Sequence, residues 1–248
     1  MIYKKIYDFC KVKNSGSALT NSNTPTPRVQ YLMGLLKSLN IEFRLDSFKS
    51  RTVTYHNLIL PGDDSIAVSA HHDIVNPDSD NANDNSASVI NAIALKLERP
   101  NSTVFLLDGE EVGGIGAQRV STQILNGEFG KIESVLNFEL TGIGGHRFFI
   151  GESEGKLADR VTSLFTAPKV GVPFNDSVIF RQNGIDSIVI NPLPLVKGEN
   201  CMSRVEYLGE KLDYSILYRC HSIKDSVDRI SIGDMQDFVE KVVLKILE

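Results

Sequence analysis

The spacing of hydrophobic residues predicts two helices and a hairpin in the first 60 residues. Residues 1–12 have the pattern of a short amphipathic helix, and residues 14–27 are a polar stretch, rich in Ser, Asn, Thr and Pro, that predicts a loop. A second helix is predicted from Pro27 to Ser38, with an apolar side formed by Val29, Leu32, Met33, Leu35 and Leu36. Residues 41–48 and 52–60 alternate apolar and polar positions, which indicates a β-hairpin.

Short apolar runs then alternate with helical patterns. Strands are predicted at "SIAVSA" (65–70), "STVFLLD" (102–108), "IESVLNFEL" (132–140) and "DSIVINPL" (186–193). Helices are predicted at "SASVINAIALKL" (86–97), "GAQRVSTQILNG" (116–127) and "DMQDFVEKVVLKIL" (234–247), the last with Asp234 as its N-cap. Apolar strands separated by helices are typical of a parallel sheet covered on both faces. We therefore predict an α/β fold with three α/β/α layers and a mostly parallel central sheet, in one domain over residues 1–248.

Composition and charge exclude several classes of partner. The net charge is -5, from 26 basic and 31 acidic residues without a long basic run, which argues against nucleic acid or an anionic membrane as a partner. No apolar segment approaches the length of a membrane span, and charged residues interrupt the N-terminus before a signal-peptide core could form. The three cysteines, Cys10, Cys201 and Cys220, are too scattered for a disulfide framework, so we expect reduced thiols and a cytoplasmic location.

Polar residues stand at the carboxyl ends of three predicted strands, where open α/β sheets place their binding sites. These residues are His71, His72, Asp73, Asp108, Glu110, Glu111 and Glu139. Asp84, just before a predicted helix, and the distant His221 add another carboxylate and imidazole. Imidazole and carboxylate without thiolate are the ligands of a catalytic zinc site, or of a related divalent ion. The other histidines, His56 and His146, are interpreted as ordinary polar groups of the hairpin and of a glycine-rich turn.

Other motifs explain these residues less well. Residues 78–89 begin like a calcium loop, but Ala82 stands where an oxygen is needed, Asn83 where the turn requires Gly, and Val89 in place of the closing Glu. The glycines of residues 113–116 lack the spacing of a phosphate-binding loop and are predicted to serve a turn and a helix entry. No G-x-S-x-G elbow is present.

Taken in order, five motifs resemble those of the di-zinc aminopeptidases, a family that includes bacterial leucyl aminopeptidases and has glutaminyl cyclases as close relatives. They are "HHD" (71–73), "NDNSAS" (83–88), "DGEEVGGIGA" (108–117), "NFEL" (137–140) and His221 followed by "KDSVD". A weaker match, "NDSVIFRQNGIDSIVI", resembles the S-D-H-x-x-F segment of that family: Asp176, Phe180, Gly184 and Ile185 fit, while Asn175, Ser177 and Asp186 depart. The resemblance covers about residues 65–230 and implies the zinc-exopeptidase fold.

The resemblance also implies a metal centre that holds two divalent ions, with zinc as the expected metal. His71 and Glu139 would bind one ion, Glu111 and His221 would bind the other, and Asp84 would bridge them. Two such ions can activate a water molecule and polarise a peptide carbonyl. Leucyl-type members usually have Asp at the position of Glu139, so we expect the metal on the longer Glu139 side chain to differ in position or occupancy.

The remaining roles also follow from the resemblance. Glu110 would be the general base, which explains why the chain places two glutamates side by side: one side chain holds a metal and the other moves a proton. Asp73 would orient the imidazole of His71, and His72 would occupy a variable position.

The function expected from the resemblance is a metal-dependent aminopeptidase that acts on the free N-terminus of a peptide. The alternatives are a glutaminyl cyclase or small amidohydrolase on the same fold, and an inactive peptidase-like binding protein. We expect residues 192–212 to form one wall of the substrate pocket. The sequence leaves the side-chain specificity and the oligomeric state open.

Overall fold

Eight strands form one mixed sheet at the centre of the fold. The computed structural model describes residues 2–13, 24–196, 204–207 and 209–248. The strands of the sheet are β1 (Arg44–Ser50), β2 (Val53–Leu60), β3 (Ile66–His71), β4 (Val104–Leu107), β5 (Ser134–Phe138), β6 (Phe148–Gly151), β7 (Lys169–Val170) and β8 (Asp186–Pro192). Their order is β1-β2-β4-β3-β5-β8-β6-β7. A separate antiparallel pair is formed by β9 (Arg204–Tyr207) and β10 (Glu210–Asp213).

The middle of the sheet is parallel, as the sequence predicted. Strands β4, β3, β5 and β8 run in one direction, while β2 and β6 pair antiparallel on either side of them. Because β3 lies between β4 and β5, the chain leaves β3 toward one edge of the sheet and later crosses to the other. Crossovers that diverge in this way open a crevice at the carboxyl end of the strand between them.

Helices cover both faces of this sheet. They are α1 (Ile6–Phe9), α2 (Pro27–Ser38), α3 (Ala87–Glu98), α4 (Ile115–Leu125), α5 (Lys156–Leu164), α6 (Asp176–Gln182), α7 (Ile232–Phe238) and α8 (Leu244–Leu247). One apolar core joins α2, α3, α5 and the C-terminal helices to the sheet, and a second core joins α4 and α6 to the other face. Within β4, Val104 and Leu106 face the first core, and Phe105 and Leu107 face the second. Such two-sided burial explains why the central strands read as uninterrupted apolar runs.

The two ends of the chain differ from the predictions in detail. The N-terminal helix is a 3-10 turn, Ile2–Lys5, followed by the short α1. The predicted C-terminal helix corresponds to α7 and α8, which a π-helical turn (Val239–Val243) joins. It begins at Ile232, so Asp234 as its N-cap was wrong: the side chain of Ser231 accepts the hydrogen bond from the amide of Asp234. The carboxylate of Asp234 instead accepts a bond from the amide of Gly144 at 2.9 Å, which holds the helix to a loop.

Several predictions concern residues outside the described part of the chain, namely most of the loop over residues 14–27, Cys201, and the middle of residues 192–212. Cys10 and Cys220 are free thiols. Among the described residues, no helix has the length and apolar character needed to span a membrane. The single domain over residues 1–248 stays a prediction.

Candidate metal centre

The predicted ligands meet at the carboxyl ends of the parallel strands. His71 is the last residue of β3, and Glu139 directly follows β5. Glu110 and Glu111 lie in the turn that joins β4 to α4. His71 and Glu139 are almost fully buried, with exposed fractions of 1% and 7%. Parallel strands that end at one edge of the sheet thus bring these side chains into one crevice.

Asp84 lies between the two predicted histidine ligands. Its Oδ1 atom is 3.3 Å from Nε2 of His71, and its Oδ2 atom is 3.2 Å from Nε2 of His221. The residue sits in an irregular turn, Ala82–Ser86, that precedes α3, and its peptide bond to Asn85 is cis. Each oxygen of one carboxylate therefore faces a different imidazole, an arrangement that suits a ligand shared by two ions.

Each histidine also faces a glutamate. Nε2 of His71 is 3.6 Å from Oε2 of Glu139, and Nε2 of His221 is 3.0 Å from Oε2 of Glu111. The ligand atoms form two groups, within which all atoms lie within 4.8 Å of one another: His71, Asp84 and Glu139, and Asp84, Glu111 and His221. A third group joins His71, Glu110 and Glu111, so Glu110 is close to the same centre.

Asp73 connects the histidine to the paired glutamates. Its Oδ1 lies 3.3 Å from Nδ1 of His71. The same carboxylate accepts hydrogen bonds from the amides of Glu110, at 3.3 Å, and of Glu111, at 3.1 Å. The sequence spacing between His71 and Asp73 predicted the contact with the imidazole. The hydrogen bonds that the amides of Glu110 and Glu111 donate to Asp73 are visible only in the folded structure.

Glycines shape that turn, as predicted. Gly113 and Gly114 adopt φ angles of 108° and 70°, which glycine alone adopts readily, and Gly114 precedes the first residue of α4. At Gly116 a Cβ atom would lie 2.4 Å from the carbonyl oxygen of Asp108, so the backbones approach too closely for a side chain. The chain can therefore turn sharply from β4 into α4 immediately after Glu110 and Glu111.

Burial and mutual repulsion perturb the acids of the centre. Burial raises the pKa of Glu110 to about 10 and that of Glu111 to about 7. Burial also raises the pKa of Glu139. Burial opposes ionisation of Asp84 too, but hydrogen bonds from His221 and His71 hold its pKa below the ordinary value. Without a cation, this cluster retains protons at neutral pH because it cannot carry all of its negative charges.

The donor set fits divalent cations. Carboxylate oxygens and imidazole nitrogens are the ligands of catalytic zinc and related ions. Oε1 of Glu111 is buried, and no residue in the described part of the chain donates a hydrogen bond to it. Asp176 adds another buried carboxylate, neither of whose oxygens has a hydrogen-bond partner within the same residues. The excess of buried negative charge and the orphaned oxygen are features that bound cations would compensate.

Sequence reasoning missed the residues that hold Asp84 in place. Nδ2 of Asn85 donates to the carbonyl of Phe138 at 3.0 Å, and Oδ1 of Asn83 accepts from the amide of Gly142 at 2.8 Å. These two asparagines flank Asp84 in "NDN", and they tie its loop to the chain around Glu139. The position of the two asparagines in that motif could have indicated a role at the site. A short polar segment does not, however, reveal which distant residues its side chains will bond to.

Arg28 was also missed, because an Arg on a helix normally lies in solvent. The side chain is fully buried beside the loops that carry Asp73 and Asp84, where it donates to the carbonyl of His72 and to Oγ of Ser86, both at 2.8 Å. Its guanidinium also lies 3.9 Å from the ring centroid of Phe9. Arg28 thus links the N-terminal segment to the loop after β3 and to the start of α3.

The remaining histidines lie apart from the ligand groups. His72 points away from the centre, with Nε2 2.9 Å from the carbonyl oxygen of His56, and burial lowers the pKa of His72 to about 4. His56 is buried beside Ser47, with 2.8 Å between its Nδ1 and the hydroxyl oxygen. His146 faces Asp237 at 3.6 Å.

A cavity of about 430 Å³ opens beside the ligands. Much of its apolar wall comes from the loop after β7, with Val172, Pro173 and Phe174, and from the 3-10 helix Tyr214–Arg219, with Leu217 and Tyr218. None of the described residues within 192–212 lines this cavity, and Leu193 and Leu212 pack into a separate apolar cluster. The middle of the predicted wall lies outside the described residues, so that wall stays a prediction. The chain reaches the cavity just beyond the predicted segment, at residues 217–221.

Solved structures share this fold. LapA, an aminopeptidase of Legionella pneumophila, superposes with a TM-score of 0.70 at 12% identity, over 99% of this chain and 69% of LapA. A glutaminyl cyclase of an Acidobacteriales bacterium gives a TM-score of 0.70 at 15% identity, over 99% of this chain and 92% of the cyclase. BSAP, a zinc aminopeptidase from Bacillus subtilis, gives 0.60 at 18% identity, over 79% of this chain and 50% of BSAP. The architecture is that of the zinc aminopeptidases.

The chain belongs to peptidase family M28, whose model matches residues 57–246. No curated protein matches the sequence. Family membership and the shared fold support a peptidase-like hydrolase, and they confirm the family resemblance seen in the motifs.

Proposed function

We propose that this protein is an aminopeptidase that depends on two divalent metal ions, with zinc as the expected metal, and removes the N-terminal residue of a peptide. In this proposal His71 and Glu139 hold one ion, Glu111 and His221 hold the other, and Asp84 is shared. The observation that carries the proposal is the position of Asp84, with one carboxylate oxygen facing each histidine. A binding site for a single ion would not need that symmetry.

Glu110 is the proposed general base. When bound, the ions would make a nearby water more acidic and polarise the scissile carbonyl. The high pKa of Glu110, about 10 because of burial, means that this carboxyl is protonated at neutral pH unless positive charge is close to it. Glu110 would take the proton of the attacking water and pass it to the leaving amine. The residue is therefore expected to act only in the metal-loaded protein.

The charge of the cavity favours a substrate with a free amine. Among the described lining residues there is no Lys or Arg, while Asp84, Glu110, Glu111 and Glu139 are acidic. A substrate carboxylate beside the scissile bond would have no cationic partner there, whereas an α-ammonium group would be attracted. This argues for an aminopeptidase rather than an exopeptidase that reads a C-terminal carboxylate.

Cyclisation of N-terminal glutamine is the second candidate function. The Acidobacteriales glutaminyl cyclase superposes on this chain as well as LapA does, with a TM-score of 0.70 over 99% of this chain in both cases. Cyclisation also begins with a free N-terminal amine and would use the same acidic cavity.

Metal titration and two substrate assays test the proposal. Isothermal titration should detect zinc binding, and the loaded protein should hydrolyse aminoacyl-nitroanilides but not their N-acetylated forms. Formation of pyroglutamate from glutaminyl peptides without nitroanilide hydrolysis would identify a cyclase instead. Zinc binding with neither reaction would indicate an inactive, peptidase-like binding protein.

A further inference from the structure

Two loops that are far apart in sequence are bound together at the metal centre. The bridge loop, residues 76–86, carries Asp84, and the histidine loop, residues 219–227, carries His221. Several hydrogen bonds connect them, including Nδ2 of Asn76 to the carbonyl of His221 at 3.2 Å, Oγ of Ser79 to the carbonyl of Ser222 at 2.8 Å, and the amide of Val227 to Oδ2 of Asp80 at 2.9 Å.

The Asp225 carboxylate makes a further and more direct connection. Its Oδ1 accepts a hydrogen bond from the amide of Asn83 at 2.8 Å, and its Oδ2 accepts one from the amide of Asp84 at 3.0 Å. Asp225 is buried, with 5% of its surface exposed. Hydrogen bonds to a buried carboxylate are stronger than those between neutral groups. The histidine loop therefore holds the backbone of the residue whose side chain faces both histidines.

We infer that Asp225 is a positioning residue that sets the spacing between Asp84 and His221, and that it thereby controls metal binding at one of two positions. The inference rests on the proposed metal centre. The affected position is the one formed by Asp84, Glu111 and His221. The position formed by His71, Asp84 and Glu139 is held by different contacts, because Asn85 bonds to the chain on either side of Glu139, at the carbonyl of Phe138 and the amide of Leu140.

The two proposed metal positions are held by different contacts, so a substitution of Asp225 can distinguish them. Replacing Asp225 releases Asp84 only on the side of the histidine loop, so the two metal positions should respond unequally. A residue that merely stabilised the fold would weaken both positions to a similar degree.

Zinc affinities of Asp225→Asn, Asp225→Ala and Asp80→Asn, measured by competition with a chromogenic chelator, decide the question. Asp80 is the matched control, since its carboxylate also joins the two loops but bonds to no ligand residue. We expect the Asp225 variants to bind one zinc equivalent roughly 10 to 100-fold more weakly, the range for residues that support metal ligands. The affinity for the second zinc equivalent should be nearly unchanged in these variants. Asp80→Asn should bind both equivalents with wild-type affinity.

The absorption spectrum of the cobalt-substituted protein supplies a readout that does not depend on activity. In Asp225→Asn, the absorption bands of one of the two cobalt ions should shift relative to the wild-type spectrum. In Asp80→Asn, the spectrum should be the same as that of the wild type. Equal weakening of both metal positions, or wild-type affinities and spectrum in Asp225→Asn, overturns the inference. Since Asn has the size of Asp, this variant also decides the case if Asp225→Ala fails to fold. Failure of the wild-type protein to bind zinc would instead overturn the proposed function.

Discussion

Glu110 and Glu111 are neighbours in the chain that occupy different surroundings. Both backbone amides donate to Asp73, so a single carboxylate fixes the turn that carries them. Beyond the backbone they diverge: Glu111 reaches His221 at 3.0 Å, while burial raises the pKa of Glu110 to about 10, well above the value of about 7 for Glu111. The two side chains are thus suited to different tasks.

Substituting each glutamate by glutamine should separate those tasks. Glu110→Gln removes a base without removing a ligand, so this variant should retain its metal while turnover falls by roughly 10²-fold to 10⁴-fold. Glu111→Gln removes an anionic ligand, so metal content should fall together with activity, and excess zinc should restore part of the loss by mass action. Metal content and turnover of both variants are measured side by side. Loss of metal in Glu110→Gln with retention in Glu111→Gln would reverse the assignment.

Asp73→Asn should weaken metal binding or activity by roughly 10 to 100-fold while the protein stays folded. The amide group cannot replace the carboxylate in all of its contacts, because Nδ2 is a donor and the amides of Glu110 and Glu111 are donors too. Zinc affinity and circular dichroism check this expectation. Wild-type zinc affinity and activity in the variant would mean that Asp73 is an ordinary turn residue.

His56 should make the fold sensitive to acid. Burial lowers its pKa, so His56 stays neutral in the folded state at pH values where an unfolded histidine, with a pKa near 6.5, binds a proton. The unfolded state then binds more protons, and stability falls as the pH drops below about 6.5. The free energy of unfolding of the metal-free protein is measured with urea at pH 7 and pH 5. Its decrease between the two pH values should be smaller for His56→Gln than for wild type. An equal loss in both proteins would contradict the assignment.

At the scale of elements, the candidate metal centre depends on how tightly the chain turns from β4 into α4. Nδ2 of Asn57, on β2, donates to the carbonyl of Gly116, and its Oδ1 accepts from the amide of Asp108. A neighbouring strand thereby closes the turn at both ends. The positions of Glu110 and Glu111 are a consequence of this closure.

Two glycine substitutions should therefore have opposite effects. In Gly116→Ala the new Cβ would lie 2.4 Å from the carbonyl oxygen of Asp108 and 2.5 Å from Oδ1 of Asn57, so we expect a destabilisation of roughly 1–3 kcal/mol and a loss of activity. Gly34→Ala, within α2, has nothing within 4 Å of the added atom and should stabilise the protein by roughly 0.5–1 kcal/mol. Urea unfolding measures both. A neutral Gly116→Ala would show that the turn can relax.

At the scale of the whole molecule, metal binding and stability should be coupled. The centre joins the ends of two strands to two distant loops, so cations bound there would hold the folded state together and stabilise it by mass action. We expect zinc to raise the melting temperature, a chelator to lower it, and elemental analysis to approach two zinc equivalents, with the ion on Glu139 the weaker of the two. A firm plateau at one equivalent would favour the cyclase.

Much of this molecule was determined by the sequence alone. The central strands were predicted because burial on both faces makes each one an apolar run, whatever its neighbours are. The candidate ligands, which the fold brings together, were predicted because they stand at strand ends and in motifs whose order resembles one family. Both features are local, since the apolar residues of a strand and the ligand-type side chains of a motif can be recognised within one short segment.

The tertiary structure decided which distant segments meet. Asp84 faces His221, and Asp225 holds the amide of Asp84. Ser231 rather than Asp234 caps α7, and the Asp234 carboxylate accepts a bond from the amide of Gly144 instead. The short strands β6 and β7, and the parts of the cavity wall at residues 172–174 and 217–218, went unpredicted for the same reason. Hydrogen-bond partners between remote loops depend on how the layers pack, and a local pattern of residues does not carry that information.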